Sequence, residues 1–377
     1  MIECVAALFP PRAWRSQDVP RLRIAILIPA HNEAVGIGAT LETLLGQLTR
    51  IDQLVVVADN CTDETAAVAR DMGVTTIERF DETRRGKGYA LDFGMDFLAT
   101  HPPDVVVIVD ADCLVAPGVV EQISRLAIAC NRPVQATYLL TQPAQPSPKA
   151  AVSTLAFTVK NLVRPLGLAQ LGLPCPLTGA GMAFPWEVIR KVPLASGNIV
   201  EDMNLGLDLA LAGYPPTFCY EARVTSALPQ QARAAKSQRT RWEHGHLQTI
   251  LTQVPRLLKA AVQKRQFDLF AIALDLLIPP LSLLVMLWAI AMAIMLVATY
   301  LGISYTPAVV LGSAGVMILV AIVSAWAKHC RADIPAKVLL TIPLYIVWKI
   351  PLYFSFLRKP QTKWVRTERD GTNSSES

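Results

Sequence analysis

Apolar runs and amphipathic stretches alternate along the first third of the chain. Aliphatic and β-branched runs and segments with helical spacing occur, in chain order, at residues 24–28, 36–48, 54–57, 62–72, 88–98 and 105–109. Strands and helices that alternate in this way build an α/β layer around a largely parallel sheet. The pattern therefore predicts an α/β fold for this part of the chain.

Three polar clusters follow three of the predicted strands, at residues 31–33, 59–60 and 110–112. Ligands of such sheets bind beyond the carboxyl ends of the strands, so the clusters should meet in one crevice. After a proline-rich linker at residues 142–148, the pattern becomes more helical. We expect this second half to cover the crevice and to receive a second substrate there.

A long stretch without Asp, Glu, Lys or Arg covers residues 276–327. Because a membrane-spanning helix needs about 20 apolar residues, this stretch holds two crossings. We predict spans at residues 281–301 and 307–327, which form a hairpin with both ends on one side of the membrane. Residues 334–357 are also apolar but contain two lysines and three prolines. An interfacial or re-entrant helix is predicted there.

Composition and charge support this division. With 52% hydrophobic and 17% charged residues, the chain is too apolar for one ordinary soluble domain and too charged for a wholly embedded one. Basic residues cluster at 256–265 and 328–369, on both sides of the hairpin, and the positive-inside bias places both flanks in the cytosol. We interpret this charge as a topology signal and expect no nucleic acid partner. Seven scattered cysteines without a CxxC pair indicate a reducing compartment and no zinc site.

Asp110 and Asp112 end the third apolar run. Carboxylates are hard oxygen ligands, and a pair at a strand end suits Mg²⁺ or Mn²⁺ bridging a diphosphate. In isolation such a pair is more often a solvated turn. Lys87 lies between two glycines and would add positive charge for a phosphate, or it belongs to an ordinary basic loop.

Two further carboxylate sites each have a structural alternative. Asp59 could accept hydrogen bonds from a ribose or a base, while the neighbouring Thr62 and Asp63 would cap the next helix. Glu201 and Asp202 open a predicted helix, whose dipole keeps a carboxylate ionised. That position suits a general base, but without further context helix capping is the favoured explanation.

The segment after residue 238 contains the remaining candidates. Trp242 could stack on a sugar ring or anchor in the lipid headgroup zone. His244 and His246 fall on different faces of a helix and are predicted to form a surface pair instead of a metal site. The sequence contains neither a complete GxGxxG fingerprint nor a GxxxxGK[ST] loop, so NAD and ATP binding have no support.

Taken in order, these segments resemble the motifs of the family 2 glycosyltransferases, an inverting group with the GT-A fold. The group includes cellulose and hyaluronan synthases and bacterial exopolysaccharide glycosyltransferases. The resemblance covers about residues 24–242, and the similar segments are 29–33, 58–63, 86–88, 109–112, 178–181, 201–202 and the QxxRW motif at 238–242. The family often has an aspartate where this chain has Ala58, but Asp59 is present.

The resemblance implies a role for each segment. It implies that Asp202 is the catalytic base and that Asp110 and Asp112 hold Mg²⁺ or Mn²⁺. The residues implied for the nucleotide-sugar donor are Pro29, His31, Glu33, Asp59, Lys87 and Asp110. Those implied for the acceptor are Thr178, Gly179, Glu201, Gln238, Arg241 and Trp242.

A domain plan follows from the same resemblance. A GT-A, Rossmann-like nucleotide-sugar-binding domain is expected at residues 23–242, after an N-terminal arm at 1–22. The expected parts after this domain are interfacial helices at 243–280, the transmembrane hairpin at 281–327, and an interfacial or re-entrant helix with a cytosolic tail at 328–377. Within that last part, residues 363–367 are similar in position to the gating loop of membrane polysaccharide synthases, although Trp364 could equally anchor at the interface.

The expected reaction is inverting transfer from a nucleotide-diphosphate sugar, expected to be UDP-linked, to a membrane-associated, polyprenyl-linked saccharide. It would serve exopolysaccharide or cell-surface glycan assembly at the inner membrane, with the catalytic domain in the cytosol and polysaccharide-assembly proteins as possible partners. Two alternatives stay open. One is a processive synthase that acts as an oligomer or with a partner channel, because two spans cannot enclose a polymer channel in a monomer. The other is a non-catalytic nucleotide-sugar-binding assembly subunit.

Overall fold

The computed structural model describes residues 2–11, 22–143, 146–228, 231–359 and 361. The gating-loop segment predicted at 363–367 lies outside the described residues. The strands are β1 (Ile24–Ala30), β2 (Gln53–Asp59), β3 (Thr75–Arg79), β4 (Val105–Ile108), β5 (Cys113–Val115), β6 (Val134–Thr141), β7 (Met182–Pro185) and β8 (Thr217–Ala227).

The helices up to the membrane-proximal part are α1 (Ile2–Ala6), α2 (Ile37–Leu45), α3 (Thr65–Asp71), α4 (Lys87–Leu98), α5 (Val119–Cys130), α6 (Pro148–Thr158), α7 (Arg164–Gln170), α8 (Trp186–Ile189), α9 (Glu201–Leu211) and α10 (Ala232–Lys264). They are followed by α11 (Phe267–Leu277), α12 (Leu281–Tyr300), α13 (Thr306–His329) and α14 (Ile342–Arg358). A π-helix, Val159–Val163, joins α6 to α7, and a 3₁₀ helix, Ala336–Thr341, precedes α14.

The described strands form one mixed sheet in the order β3-β2-β1-β4-β7-β6-β8-β5. The first four strands are parallel, as the sequence pattern predicted. β7 is antiparallel to both β4 and β6, β8 is parallel to β6, and β5 is antiparallel to β8. Six of the eight described strands, β1–β4, β6 and β8, therefore run in the same direction and only β5 and β7 oppose them, so the expectation of a largely parallel sheet is confirmed. The second half of the chain covers the sheet edge and also inserts β7 into the sheet.

Both faces of the central strands are buried, which explains why β1 is an apolar run. Ile26 and Ile28 pack on one face with Leu41 of α2. Leu27 packs on the other face with Leu91 of α4. Since successive side chains of a strand alternate between faces, every position of such a strand must be apolar. The carboxyl ends of β1, β2 and β4 therefore open at one edge, where the polar clusters follow.

Three helical segments of the described chain are long and apolar enough to cross a membrane, namely Leu281–Tyr300, Thr306–His329 and Ala336–Arg358. The first two form the predicted hairpin, with mean hydropathy values of 2.6 and 2.5, while the third has only 1.5. The third segment contacts both the hairpin and α10: the Tyr353 hydroxyl lies 2.6 Å from Ser282 Oγ of α12, and the Leu352 carbonyl lies 3.1 Å from His244 Nε2 of α10. The interfacial or re-entrant orientation of this segment stays a prediction.

The N-terminal helix α1 is packed between the α/β domain and the membrane hairpin. Glu3 pairs with Arg164 at 3.4 Å, and Arg164 also pairs with Asp275 of α11 at 2.6 Å. Lys328, at the end of α13, donates to the Ala7 carbonyl at 2.6 Å. Charged contacts therefore join the N-terminal segment to α7 and α11 through Arg164, and to α13 of the hairpin through Lys328.

Candidate active site

A cavity of about 340 Å³ lies at the carboxyl ends of β1, β2 and β4. It continues beneath α9 and α10 to the first turn of α12 and to α14. Every residue predicted for the site lines this cavity: Pro29, His31, Glu33, Asp59, Lys87, Asp110, Asp112, Thr178, Gly179, Glu201, Asp202, Gln238, Arg241 and Trp242. The three strand-end clusters therefore meet as predicted.

Asp59 is fixed at one end of the cavity by a neighbour that the sequence did not single out. Arg79, at the end of β3, donates to Asp59 Oδ1 at 2.7 Å, and Asn60 Nδ2 donates to the same oxygen at 3.0 Å. The Asp59 backbone carbonyl accepts from His31 Nδ1 at 2.7 Å. Asp59 is 6% exposed, so these contacts hold a buried carboxylate in one orientation.

Lys87 lies at the centre of the site, at the N-terminus of α4. Its Nζ lies 2.5 Å from Asp110 Oδ1, 3.7 Å from Glu201 Oε1, and donates to the Gly179 carbonyl at 2.7 Å. Burial alone would lower the pKa of Lys87, but Asp110 and Glu201 outweigh that effect and raise the pKa. The ammonium is therefore a permanent positive charge beside the carboxylates.

Gly88 explains how Lys87 reaches this position. A Cβ atom at residue 88 would lie 2.6 Å from the backbone oxygens of both Leu194 and Ser196. The 194–197 loop therefore packs directly on the first turn of α4, and only glycine leaves room for it. This contact holds the start of α4, which contains Lys87, against the 194–197 loop.

Asp110 and Asp112 face each other in a group of possible metal ligands. Their carboxylate oxygens and Cys113 Sγ lie within 4.8 Å of one another. Asp112 Oδ2 accepts from Ser226 Oγ of β8 at 3.2 Å, which orients that carboxylate. Burial raises the pKa of Cys113 well above its ordinary value, so it remains a thiol and a poor ligand. The two carboxylates fit a hard ion such as Mg²⁺ or Mn²⁺ and do not fit a thiolate zinc site.

Asp202 and Glu201 enter the cavity from the first turn of α9, where the sequence predicted a helix start. Gly179 brings Asp202 close to Asp110, since a Cβ at residue 179 would lie 3.1 Å from Asp202 Oδ2 and 3.7 Å from Asp110 Oδ2. Burial raises the pKa of Glu201 to about 7, although Lys87 opposes the shift.

The wall opposite the sheet comes from α10 and from the π-helix between α6 and α7. The Trp242 ring packs on Phe157 with the centroids 5.5 Å apart, and both rings line the cavity. Sugar stacking by Trp242 stays a prediction. The π-helix contributes Lys160 and Asn161, which the sequence pattern did not indicate. A lone lysine in an apolar helical pattern was the available signal.

The prediction of a surface histidine pair is wrong. His244 and His246 are 2% and 5% exposed. They do point to different faces of α10, since His244 Nε2 lies 3.1 Å from the Leu352 carbonyl and His246 Nε2 lies 3.3 Å from the Leu276 carbonyl. Burial lowers the pKa of His246 to about 3, so this ring is neutral. Both histidines join α10 to the helices that lead into and out of the membrane hairpin.

A family model described as "Glycosyltransferase like family 2" matches residues 20–245. The probable glycosyltransferase YdaM of Bacillus subtilis is 25% identical over 289 residues, which are 68% of this chain and 63% of that protein. The uncharacterized glycosyltransferase YaiP of Escherichia coli is 27% identical over 228 residues, which are 58% of this chain and 54% of that protein. The chain thus spans less than two thirds of the length of either relative.

One solved structure matches almost the whole chain. It is the mannosyltransferase PcManGT of Pyrobaculum calidifontis in complex with GDP-Man and Mn²⁺, with a TM-score of 0.55 and 18% identity over 94% of this chain and 92% of that chain. At this identity the likeness shows the fold alone. The fold is a Rossmann-like GT-A domain followed by apolar helices.

Proposed function

The chain belongs to the family 2 glycosyltransferases, as its motifs predicted, and on that premise we propose that it transfers a sugar from a nucleotide-diphosphate sugar to a membrane-associated acceptor with inversion at the anomeric carbon. The observation that carries this proposal is the meeting of Lys87, Asp110 and Asp202 around Gly179. A cation, a metal-binding carboxylate and a general base are the groups that such a displacement requires.

The donor is proposed to bind at the sheet edge. Its nucleoside would contact Pro29, His31, Glu33 and Asp59, with Asp59 oriented by Arg79. Its diphosphate would lie beside Lys87. We propose a UDP-linked sugar, and the GDP-Man bound to the structural neighbour makes GDP-sugars the first alternative. Mg²⁺ or Mn²⁺ held by Asp110 and Asp112 would neutralise charge on the departing diphosphate.

Asp202 is proposed to accept the proton of the acceptor hydroxyl. The hydroxyl oxygen then attacks the anomeric carbon from the face opposite the diphosphate, and the bond between that carbon and the diphosphate oxygen breaks. Lys87 stabilises the negative charge that develops on the leaving group. A single displacement of this kind inverts the anomeric centre. Gln238, Arg241, Trp242, Thr178 and Glu201 would hold the acceptor, and the Thr178 hydroxyl and Arg241 Nε have no hydrogen-bond partner among the described residues.

The acceptor is proposed to be amphiphilic, in particular a polyprenyl-linked saccharide of exopolysaccharide or cell-surface glycan assembly. This proposal is supported by the cavity wall, which includes Pro280, Leu281 and Leu284 at the start of the first membrane helix. A lipid tail could leave the cavity there. Other polysaccharide-assembly proteins would be natural partners of such an enzyme.

Donor hydrolysis and transfer test the proposal directly. The full chain in nanodiscs would be assayed with Mn²⁺ or Mg²⁺ and a panel of UDP-, GDP- and TDP-sugars, with Asp112→Asn, Asp202→Asn and Asp208→Asn as variants. Removing a general base typically costs about 10²- to 10⁴-fold in rate, so Asp202→Asn should lose transfer but keep donor binding. Asp208 is on the same helix but pairs with Arg256 outside the cavity, so Asp208→Asn should stay within about twofold.

Three results would distinguish the proposed enzyme from its two alternatives. Donor binding without turnover of any donor by the wild-type chain would support the assembly-subunit alternative. A ladder of many product lengths would support the processive-synthase alternative. Transfer of one sugar per acceptor would support the single-addition enzyme.

The chain is proposed to reside in the inner membrane with the catalytic domain in the cytosol. This orientation is supported by the basic residues on both sides of the hairpin, whose connecting turn would then face the opposite side. A membrane-impermeant maleimide should label Ser304→Cys in this turn on intact spheroplasts. It should not label Lys191→Cys, which lies on the exposed surface of the α/β domain. The reverse labelling pattern would refute the orientation.

A further inference from the structure

The cavity has a wall on the membrane side that the predicted donor and acceptor residues do not account for. This membrane-side wall consists of Lys160 and Asn161 from the π-helix, Leu281 and Leu284 from the first turn of α12, and Tyr345 from α14. It combines a cation with aliphatic and aromatic side chains at the point where the protein enters the apolar helices.

Lys160 is unusual among the buried cations of the described chain. Lys87 is paired with Asp110, Arg164 with Asp275, and Lys349 with Glu243. No hydrogen bond or ion pair joins Lys160 to another described residue, although it is partly buried in the cavity wall. Burying a charged group without a partner costs free energy, and a bound anion would offset that cost for Lys160.

The local backbone is also specialised at this position. The chain departs from α-helical hydrogen bonding at Val159–Val163 and forms a π-helix, a rare element that is frequent at functional sites. The same segment contains Asn161, which is 3% exposed and whose side-chain oxygen has no hydrogen-bond partner among the residues that the structure describes. Two polar side chains without partners therefore occur side by side in an otherwise apolar helical stretch.

Neighbouring charges indicate which kind of ligand fits. Arg239 and Arg241 line the same cavity, and neither forms an ion pair with a described residue. Burial lowers the pKa of Lys160, and Asp202 is the main charge that opposes this shift. Lys160 and the proposed base Asp202 therefore interact electrostatically. An anion bound at Lys160 would lie near the oxygen that attacks the donor.

We propose that Lys160 binds a phosphate group of the lipid acceptor and thereby selects phosphate-bearing lipids over uncharged ones. This inference rests on the proposed transfer to a membrane-associated acceptor. The cation and the aliphatic residues of the membrane-side wall match an amphiphile with an anionic headgroup and an apolar tail. A polyprenyl monophosphate and a polyprenyl-diphosphate monosaccharide share this chemistry. In the first, an oxygen of the phosphate itself attacks the donor, and in the second, a sugar hydroxyl attacks while the diphosphate lies beside it.

The test compares four proteins on three acceptors. The proteins are wild type, Lys160→Met, Lys160→Arg and the control Lys259→Met, which removes an exposed lysine of α10 outside the cavity. The acceptors are a polyprenyl monophosphate, a polyprenyl-diphosphate monosaccharide and an uncharged polyprenyl monosaccharide, each in phosphatidylcholine nanodiscs. Initial rates would give kcat, the acceptor KM and the donor KM separately.

We expect Lys160→Met to raise the KM for the preferred phosphate-bearing acceptor about tenfold or more, because a charge-assisted contact is lost. The donor KM should stay within about twofold, which shows that the variant is folded. Lys160→Arg should keep most of the affinity, and Lys259→Met should behave like wild type. Comparison of the two phosphate-bearing lipids identifies which headgroup the site accepts.

The inference is overturned if wild type uses the uncharged acceptor as well as the charged ones. It is also overturned if Lys160→Met reduces transfer to all three acceptors equally, or to none. In these cases the proposed function would stand, because wild-type transfer would still be observed. If wild type transfers sugar to no lipid, the proposed acceptor class fails and this inference fails with it.

Discussion

Gly179 provides the sharpest test of how the site is arranged. Its φ of +101° is a conformation that an L-residue rarely adopts, and its missing side chain leaves room for two carboxylates. In Gly179→Ala, the added Cβ would lie 3.1 Å from Asp202 Oδ2 and 3.7 Å from Asp110 Oδ2. The first distance is shorter than an ordinary contact between carbon and oxygen, so Asp202 must move by a few tenths of an ångström.

The expected effect can be estimated from that movement. A misplacement of 1 Å at a reacting centre costs about 100-fold in rate, so a few tenths of an ångström should cost roughly four- to tenfold in kcat. The unfavourable φ adds about 1–3 kcal/mol of strain to the folded state. We therefore expect Gly179→Ala to reduce kcat for transfer, to leave the donor KM almost unchanged, and to lower the midpoint of thermal unfolding by several degrees.

Gly181→Ala is the matched control from the same loop. Gly181 also has a positive φ, +68°, but its added Cβ would lie 2.7 Å from Val224 Cγ2 and 3.0 Å from Ala136 Cβ. This variant should lose stability through core crowding while the folded fraction keeps kcat within about twofold. The reasoning is refuted if both variants lower kcat equally, or if Gly179→Ala leaves kcat unchanged.

Three further variants test other parts of the structure. The pKa of Glu201 is raised from 4.5 to about 7 in the folded state, so its contribution to the free energy of unfolding is fully present below pH 4.5 and is lost as pH rises to 7. Between these pH values the free energy of unfolding of the wild type should fall by up to about 3 kcal/mol because of this group. Glu201→Gln should lack that part of the decrease in unfolding measurements. Arg79→Met should raise the donor KM about tenfold in initial-rate assays and spare kcat, since it frees the Asp59 carboxylate. Arg164→Met should destabilise the fold by about 3–5 kcal/mol in denaturant titrations, because it leaves Asp275 buried without its partner.

The sequence was sufficient for the parts of the site that depend on local pattern. The polar clusters after β1, β2 and β4 could be placed because each follows a run of buried residues, and parallel strands end at one edge. The start of α9 at Glu201 was also predicted, since the acidic first turn is a local signal. These features need no knowledge of distant contacts.

Features that depend on distant pairing were missed. β7 lies between β4 and β6, and β8 pairs in parallel with β6, yet neither β7 nor β8 has a neighbour in sequence that reveals its partner. The histidines of α10 were assigned to the surface because the helices that cover them come later in the chain. Lys160 was not singled out because α-helical spacing does not anticipate the extra residue of a π-helix. In each case the missing information was which surfaces meet.

The contacts of Arg164 have a consequence for how the enzyme is made in the cell. Its carboxylate partners come from α1 and from α11, and α11 directly precedes the membrane hairpin. During synthesis, Asp275 leaves the ribosome only after the whole α/β domain has emerged, so that domain holds an incompletely neutralised cation until α11 docks. We therefore expect folding of the α/β domain to be completed only when α11 and the apolar helices that follow it are in place, and a released form of this domain to be inactive and short-lived.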